Sequence, residues 1–230
     1  MGRNRLPRHR GYLLPSESRH WEDRSFHVWC RGIDDMHVFP EDRDKAKFFE
    51  IFERHLSPRE IRDSNYRLYP KYIDDVALFG ANVFDNHYHL LVHQIAQGGL
   101  ERLMRSALTG YGHYFNKTHG RQAQIFESPY SVRAISDDDD LRNMLSYVHG
   151  NHESAGLDYR FSTHGSYVGS NPRDFIAVEF GLSRFESVAE YKRAMSEGFE
   201  RQSKAKRERR AQSAPAPHRK IQRGPGGHLT

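Results

Sequence analysis

The chain has 230 residues, enough for one core of ordinary domain size with appendages. Its single cysteine, Cys30, excludes an internal disulfide framework and a cysteine-based zinc site, as expected of a protein kept in a reducing cytoplasm. The net charge of +5 is unevenly spread: residues 201–230 carry nine Lys/Arg and one acid, residues 1–10 four Arg and no acid, and residues 11–200 the remaining 22 basic against 29 acidic side chains. A basic tail on an acidic body suits an electrostatic tether to a polyanion, and equally a solvated tail without a partner. No apolar run approaches the roughly 20 residues of a membrane span, and no apolar segment follows the basic N-terminus as in a secretory signal.

Residues 1–22 lack periodicity and read as a mobile basic arm. Arg24 to Ile33, rich in aromatic and β-forming residues, reads as a strand. Asp34-Asp35 is a turn, and Met36 to Phe39 is expected to return as a short strand. From Asp42 a helix is predicted, with Ala46, Phe49, Phe52 and Leu56 on its apolar stripe and Glu41, Asp42 and Asp44 at the end its dipole favours. Residues 59–70 are polar and irregular. Tyr72 to Val83 contains a strand, and Phe84-Asp85-Asn86 turns it into an antiparallel hairpin with the strand that follows.

That next strand is Asn86-His87-Tyr88-His89-Leu90-Leu91-Val92-His93. Its alternation puts His87, His89 and Leu91 on one face and Tyr88, Leu90 and Val92 on the other. Gly98-Gly99 breaks the pattern. Leu100, Leu103, Met104, Ala107, Leu108, Tyr111 and Phe115 then recur at helical spacing. Gln124 to Arg133 looks extended. Asp137 to Asp140 opens another helix, with Leu141, Met144, Leu145 and Val148 toward the core. Tyr147 and Asn151, four apart, share a second face. Residues 158–172 are loop-like, and Ser183-x-x-Glu186 is a capping box before a last helix carrying Phe185, Val188, Ala189, Met195 and Phe199. Past residue 200 the composition becomes Lys/Arg/Ser/Ala/Pro/Gly and reads as disorder. The resulting order, β-β-α-β-β-α-β-α, is an α+β plan with helices packed on an antiparallel sheet.

Two imidazoles at i and i+2 of a strand can meet at one metal ion if a third ligand comes from elsewhere. With 15 histidines in the chain, about one His-x-His is expected by chance, so the motif needs context. The helix over 137–151 offers that context. If it packs beside the sheet, the Asn151 amide oxygen can complete a metal site while Tyr147 presents its phenol beside it. A divalent ion would act as a Lewis acid on a phosphoryl oxygen, and the phenol could attack phosphorus to give a covalent phosphotyrosine. Each residue also has a plainer role: strand histidines, a tyrosine flanking the core, an asparagine at a helix C-terminus. Tyr111 and Tyr114 are rival nucleophiles, with Tyr111 better assigned to the core. His93 lies roughly 13 Å along the strand from His89, too far to share its ion.

Three segments, in order, carry a resemblance. They are Asn86-His87-Tyr88-His89-Leu90-Leu91-Val92; Leu103-Met104-Arg105 with Tyr111 to Asn116; and Leu145-Ser146-Tyr147-Val148-His149-Gly150-Asn151 with Ala155-Gly156-Leu157. Together they resemble the single-tyrosine HUH transposases, in particular the REP-associated tyrosine transposases of bacteria, over about residues 24–200. The usual proline after the helix asparagine is His152 here. The resemblance implies a ferredoxin-like α+β nuclease fold with a catalytic domain over 23–157 and a helical extension over 158–200; the basic tail over 201–230 lies outside it and reads as disordered from its composition. It implies His87, His89 and Asn151 as ligands of Mg²⁺ or Mn²⁺, Tyr147 as nucleophile, and a 5′-phosphotyrosine product with a free 3′ hydroxyl. The implied partner is single-stranded DNA beside a hairpin, in a bacterial, nucleoid-associated cytoplasmic setting. No membrane partner is expected; a homodimer would complete the site across two chains if one chain does not. Tyr88 or Tyr130 could stack on unpaired bases. Two further readings remain: a non-catalytic nucleic-acid-binding module on the same fold, and a metal-binding or interaction domain whose tail recruits an acidic partner.

Overall fold

The computed structural model of the chain describes residues 12–150 and 159–213. Strand β1 is Tyr12–Leu13, helix α1 Pro15–Ser18, strand β2 Arg24–Arg31, helix α2 Asp42–Leu56, strand β3 Val76–Val83 and strand β4 His87–Gln94. Helix α3 is Gly99–Thr118, strand β5 Ser131–Ala134, helix α4 Asp138–His149, helix α5 His164–Val168, helix α6 Val178–Leu182 and helix α7 Val188–Ser213. One sheet holds the strands in the order β1-β5-β2-β4-β3, every neighbour antiparallel. Without the two-residue β1, the run β2-α2-β3-β4-α3-β5 laid out as β5-β2-β4-β3 is the ferredoxin-like split βαβ arrangement. The protein is therefore α+β, as its sequence pattern predicts.

The alternation of β2 and β4 decides what each face does. Phe26, Val28 and Cys30 lie opposite Val92, Leu90 and Tyr88, and all six are buried under α2 and α3. Tyr88 meets Phe48 of α2 at a ring separation of 5.0 Å. Helix α2 forms where Glu41 precedes its apolar stripe, the Glu41 N–H donating to Asp44 Oδ2 at 3.0 Å. Phe48, Phe49, Ile51, Phe52 and Leu56 then point into the core. Leu100, Leu103, Met104, Ala107, Tyr111 and Phe115 do the same for α3, and the Tyr111 hydroxyl donates to the Val38 carbonyl at 2.6 Å. Each such large side chain stabilises the fold by about 1.5–3 kcal/mol on burial. The opposite face carries α4, α6 and α7.

Several expectations need correction. The arm expected over 1–22 is structured from residue 12: β1 pairs with β5, and the buried Gln94 side chain holds the Ser18 carbonyl at 3.0 Å. Residues 1–11 lie outside the described residues. Met36 to Phe39 forms no strand, because Ile33–Asp35 closes as a 3₁₀ turn with Asp34 and Asp35 at φ 52° and 60°. That turn sends the segment across the sheet end, where the Phe39 N–H reaches the Asp85 carbonyl. Of the extended stretch 124–133 only its end is strand. The loop expected over 158–172 contains α5. The last helix is capped four residues later than expected, by Ser187, whose Oγ accepts from the Glu190 N–H at 3.1 Å, while the Ser183 hydroxyl closes α6 on the Phe180 carbonyl. Helix α7 runs on to Ser213, past the expected onset of disorder at 201. The segment is rich in Arg, Lys, Glu, Gln and Ala, all good helix formers, and lacks Gly or Pro before Pro215. Residues 214–230 lie outside the described residues.

Candidate active site

The face of the sheet away from α2 and α3 carries His27, Trp29 and Arg31 of β2 opposite Leu91, His89 and His87 of β4. Asn82 of β3 lies on the far side of His89, and Arg133 of β5 lies opposite His27. Helix α4 packs across β3 and β4 on this face. Its N-terminus is fixed by Asp137, which accepts the Asp140 N–H at 2.8 Å, and by Arg133 donating to both oxygens of Asp140 at 2.8 and 3.0 Å. The run 137–140 is thus a helix start. At its other end, the Asn82 amide donates to the Val148 carbonyl at 2.9 Å.

This packing brings Tyr147 onto the histidines. Its ring meets His89 edge-on at 5.5 Å and His27 at 6.0 Å, and it keeps 39% of its surface exposed. His87 and His89 stand at 5.2 Å with their rings perpendicular. Phe84 stacks on His87 at 4.4 Å. Asn151 lies outside the described residues. Of the residues the sequence singles out, Tyr147 and His87 each stand beside His89.

His27 was not among the residues expected to act. It is 2% exposed, and its Nε2 lies 2.8 Å from Nδ1 of His89 with the rings 15° from coplanar. Burial lowers its pKa to about 3, helped by the nearby Arg133 charge. His27 is therefore a neutral hydrogen-bonding partner of His89 across the physiological range, too weakly basic to take a proton from Tyr147. No signal within its own segment marks it; it has no histidine two or four residues away.

The geometry suits a cation. With a metal–nitrogen distance of about 2.1 Å and a ligand angle of about 90–110°, two imidazole centroids sharing an ion lie roughly 4.5–5.3 Å apart, which brackets the His87–His89 spacing. Nδ1 of His87 lies 2.6 Å from Asn86 Oδ1 and Nδ1 of His89 lies 2.8 Å from His27 Nε2, so a cation shared by the two rings would be held through Nε2 of each, in the tautomer in which that nitrogen carries the lone pair. Among the described residues no group of three His, Cys, Asp or Glu side chains is placed to hold a metal. A complete site needs a donor of another kind or from elsewhere.

The other sequence candidates fall away. His93 is spent on Ser25 Oγ and Asp23, each at 3.1 Å, and on the Phe180 ring. Tyr111 and Tyr88 are fully buried under the opposite face, and Tyr114 donates to Asp44 there. Tyr88 cannot stack on a base. Cys30 donates to the Glu127 carbonyl, and burial pushes its thiol up to about 12, so it is inert.

Fold and site together define a ferredoxin-like α+β protein that gathers three histidines and a half-exposed tyrosine on one sheet face. No protein-family model matches the chain, and no curated protein matches it. Among solved structures it is similar to one described as a REP-associated tyrosine transposase bound to a REP hairpin, at 14% identity and a TM-score of 0.45, over 65% of this chain and 81% of that one.

Proposed function

We propose that this protein is a metal-dependent single-stranded DNA transesterase, nicking and joining DNA through a phosphotyrosine at Tyr147. The observation that carries the reading is the edge-on contact of the half-exposed Tyr147 with His89, which in turn stands beside His87. The resemblance of the three sequence segments to the single-tyrosine HUH transposases supports it. His87 and His89 would hold Mg²⁺ or Mn²⁺ through Nε2, with the Asn151 amide oxygen as third ligand. Bound there, the ion supplies Lewis-acid polarisation of a phosphoryl oxygen. Tyr147 Oη forms a bond to phosphorus as the bond to the 3′ oxygen breaks. The phenol proton leaves to solvent and the 3′ oxygen gains one, so the strand ends in a 3′ hydroxyl while its 5′ phosphate stays on Tyr147. Rejoining is the reverse attack by a 3′ hydroxyl.

Binding would draw on phosphate contacts outside the site. Arg201, Lys204 and Arg207 are exposed at successive three-residue steps of α7, so they share a helix face. Affinity supplied this way falls steeply with salt.

The test is a labelled hairpin with a single-stranded flank, incubated with the protein and Mn²⁺ and resolved under denaturing conditions. A covalent adduct is expected from the wild type and none from Tyr147→Phe. An adduct that survives in Tyr147→Phe would sink the nucleophile assignment. Salt-sensitive binding without any adduct would favour the second reading, a binding module on the same fold.

A further inference from the structure

His87 is followed outward by a chain of hydrogen bonds that leaves the site. Its Nδ1 lies 2.6 Å from Asn86 Oδ1, and Asn86 Nδ2 donates to Asp35 Oδ1 at 2.6 Å. A carboxylate can only accept, so Asp35 decides which end of the Asn86 amide faces it: the NH₂. The amide oxygen therefore faces His87. That oxygen also only accepts, so the proton between them belongs to His87 Nδ1. In the neutral ring the lone pair is then on Nε2.

We infer that Asp35 and Asn86 are positioning residues that favour the Nδ1–H tautomer of His87, the neutral form whose Nε2 lone pair can ligate a divalent cation. The inference rests on the metal reading above. The pair is itself well anchored. The Asn86 carbonyl accepts the Gly32 N–H at 2.8 Å, which ties the hairpin turn to the end of β2. Gly32 is obligatory there, since a Cβ would lie 2.2 Å from the Met36 carbonyl oxygen. Asp35 takes φ 60°, a left-handed conformation that a bulky residue adopts at a cost, and Arg31 pairs with its Oδ1 at 3.3 Å. Stacking of Phe84 on His87 fixes the ring plane from the other side. A ligand imidazole whose second nitrogen is held by an outer partner is the usual design of metal sites, and loss of that partner weakens metal affinity about 10–100-fold. The motif asparagine thus acts through histidine, without touching metal or substrate.

Imidazole ¹⁵N spectra of the full chain, recorded without metal, test this directly. His87 is expected as Nδ1–H in the wild type and as mainly Nε2–H, the form free imidazole prefers, in Asn86→Ala. Asn86→Asp keeps an acceptor and is expected to retain Nδ1–H. Asp35→Ala, at an exposed position, frees the amide to turn over and should give a mixture. Mn²⁺ titration of the same samples is expected to weaken about 10–100-fold in Asn86→Ala and to recover in Asn86→Asp. An Nε2–H tautomer in the wild type overturns the inference, and so does an Nδ1–H tautomer indifferent to Asn86→Ala. Correct tautomers with no Mn²⁺ binding by the wild type would leave the relay standing and remove the metal reading instead.

Discussion

The hydroxyl of Tyr191 is expected to hold the C-terminal end of α4 in place, and Tyr191→Phe should show it. Tyr191 is fully buried, with its hydroxyl 2.9 Å from His149 Nδ1 and 2.7 Å from His164 Nδ1. His149 Nε2 reaches Thr163 Oγ1 at 2.8 Å, and that oxygen accepts the Ala81 N–H at 2.8 Å. The chain Ala81–Thr163–His149–Tyr191–His164 thus links β3, the end of α4, α5 and α7, two residues beyond Tyr147. A phenol hydroxyl donates once and accepts, so one imidazole receives its proton and the other gives one to its oxygen. Phenylalanine fills the same space and removes both bonds. Each buried group deprived of its partner costs about 1–3 kcal/mol, so a loss of about 2–4 kcal/mol is expected after allowing for partial relaxation. Urea unfolding measures this, with Tyr66→Phe as control. Tyr66 is 82% exposed, and its variant should stay within about 0.5 kcal/mol of wild type. If Tyr191→Phe moves the midpoint no more than Tyr66→Phe, the network carries no stability and the reasoning fails.

Acid should act through His27. The folded state holds it neutral with a pKa of about 3, while the unfolded chain takes up a proton below about 6.5, so unfolding binds a proton and stability falls as pH drops from about 6.5 towards 3. The slope from this group is about 1.4 kcal/mol per pH unit; between pH 7 and pH 5 the wild type should lose about 2 kcal/mol more than His27→Gln, and equal losses would contradict the burial argument. Gly198→Ala should destabilise by about 1–2 kcal/mol in thermal unfolding despite alanine's better helix propensity, because its Cβ would lie 2.8 Å from Ser146 Cβ where α7 crosses α4. A rise in melting temperature would mean that the helices part freely. Asp137→Ala removes the α4 cap and should cost about 1 kcal/mol, against little change for Asp139→Ala on the same turn.

Local pattern was enough for much of this protein. Alternation in β4 put His87 and His89 on the face opposite Tyr88 and Leu90, because side chains along a strand alternate whatever packs on them. Helical spacing marked α3 and its buried Tyr111, and the acidic run marked the start of α4, because dipole and cap act within one turn. What the sequence could not decide was pairing between strands distant in the chain. His27 belongs beside His89 only because β2 pairs with β4 in a register that sets His27 opposite Leu91, and a shift by one residue would have sent it into the core. Asp35 reaches Asn86 only through the two left-handed aspartates of its turn; the sequence marks Asp34-Asp35 as a turn but not which side chain it brings to Asn86. The extent of α7 is ambiguous in the sequence because a charged, repeat-poor composition suits both a solvated helix and a disordered chain, and contact of α7 with α4 favours the helix. Tyr147 stands out in the sequence by its spacing from Asn151 and by resemblance; its distance from the histidines is a property of how α4 lies across the sheet, which Arg133, Asn82 and Tyr191 fix.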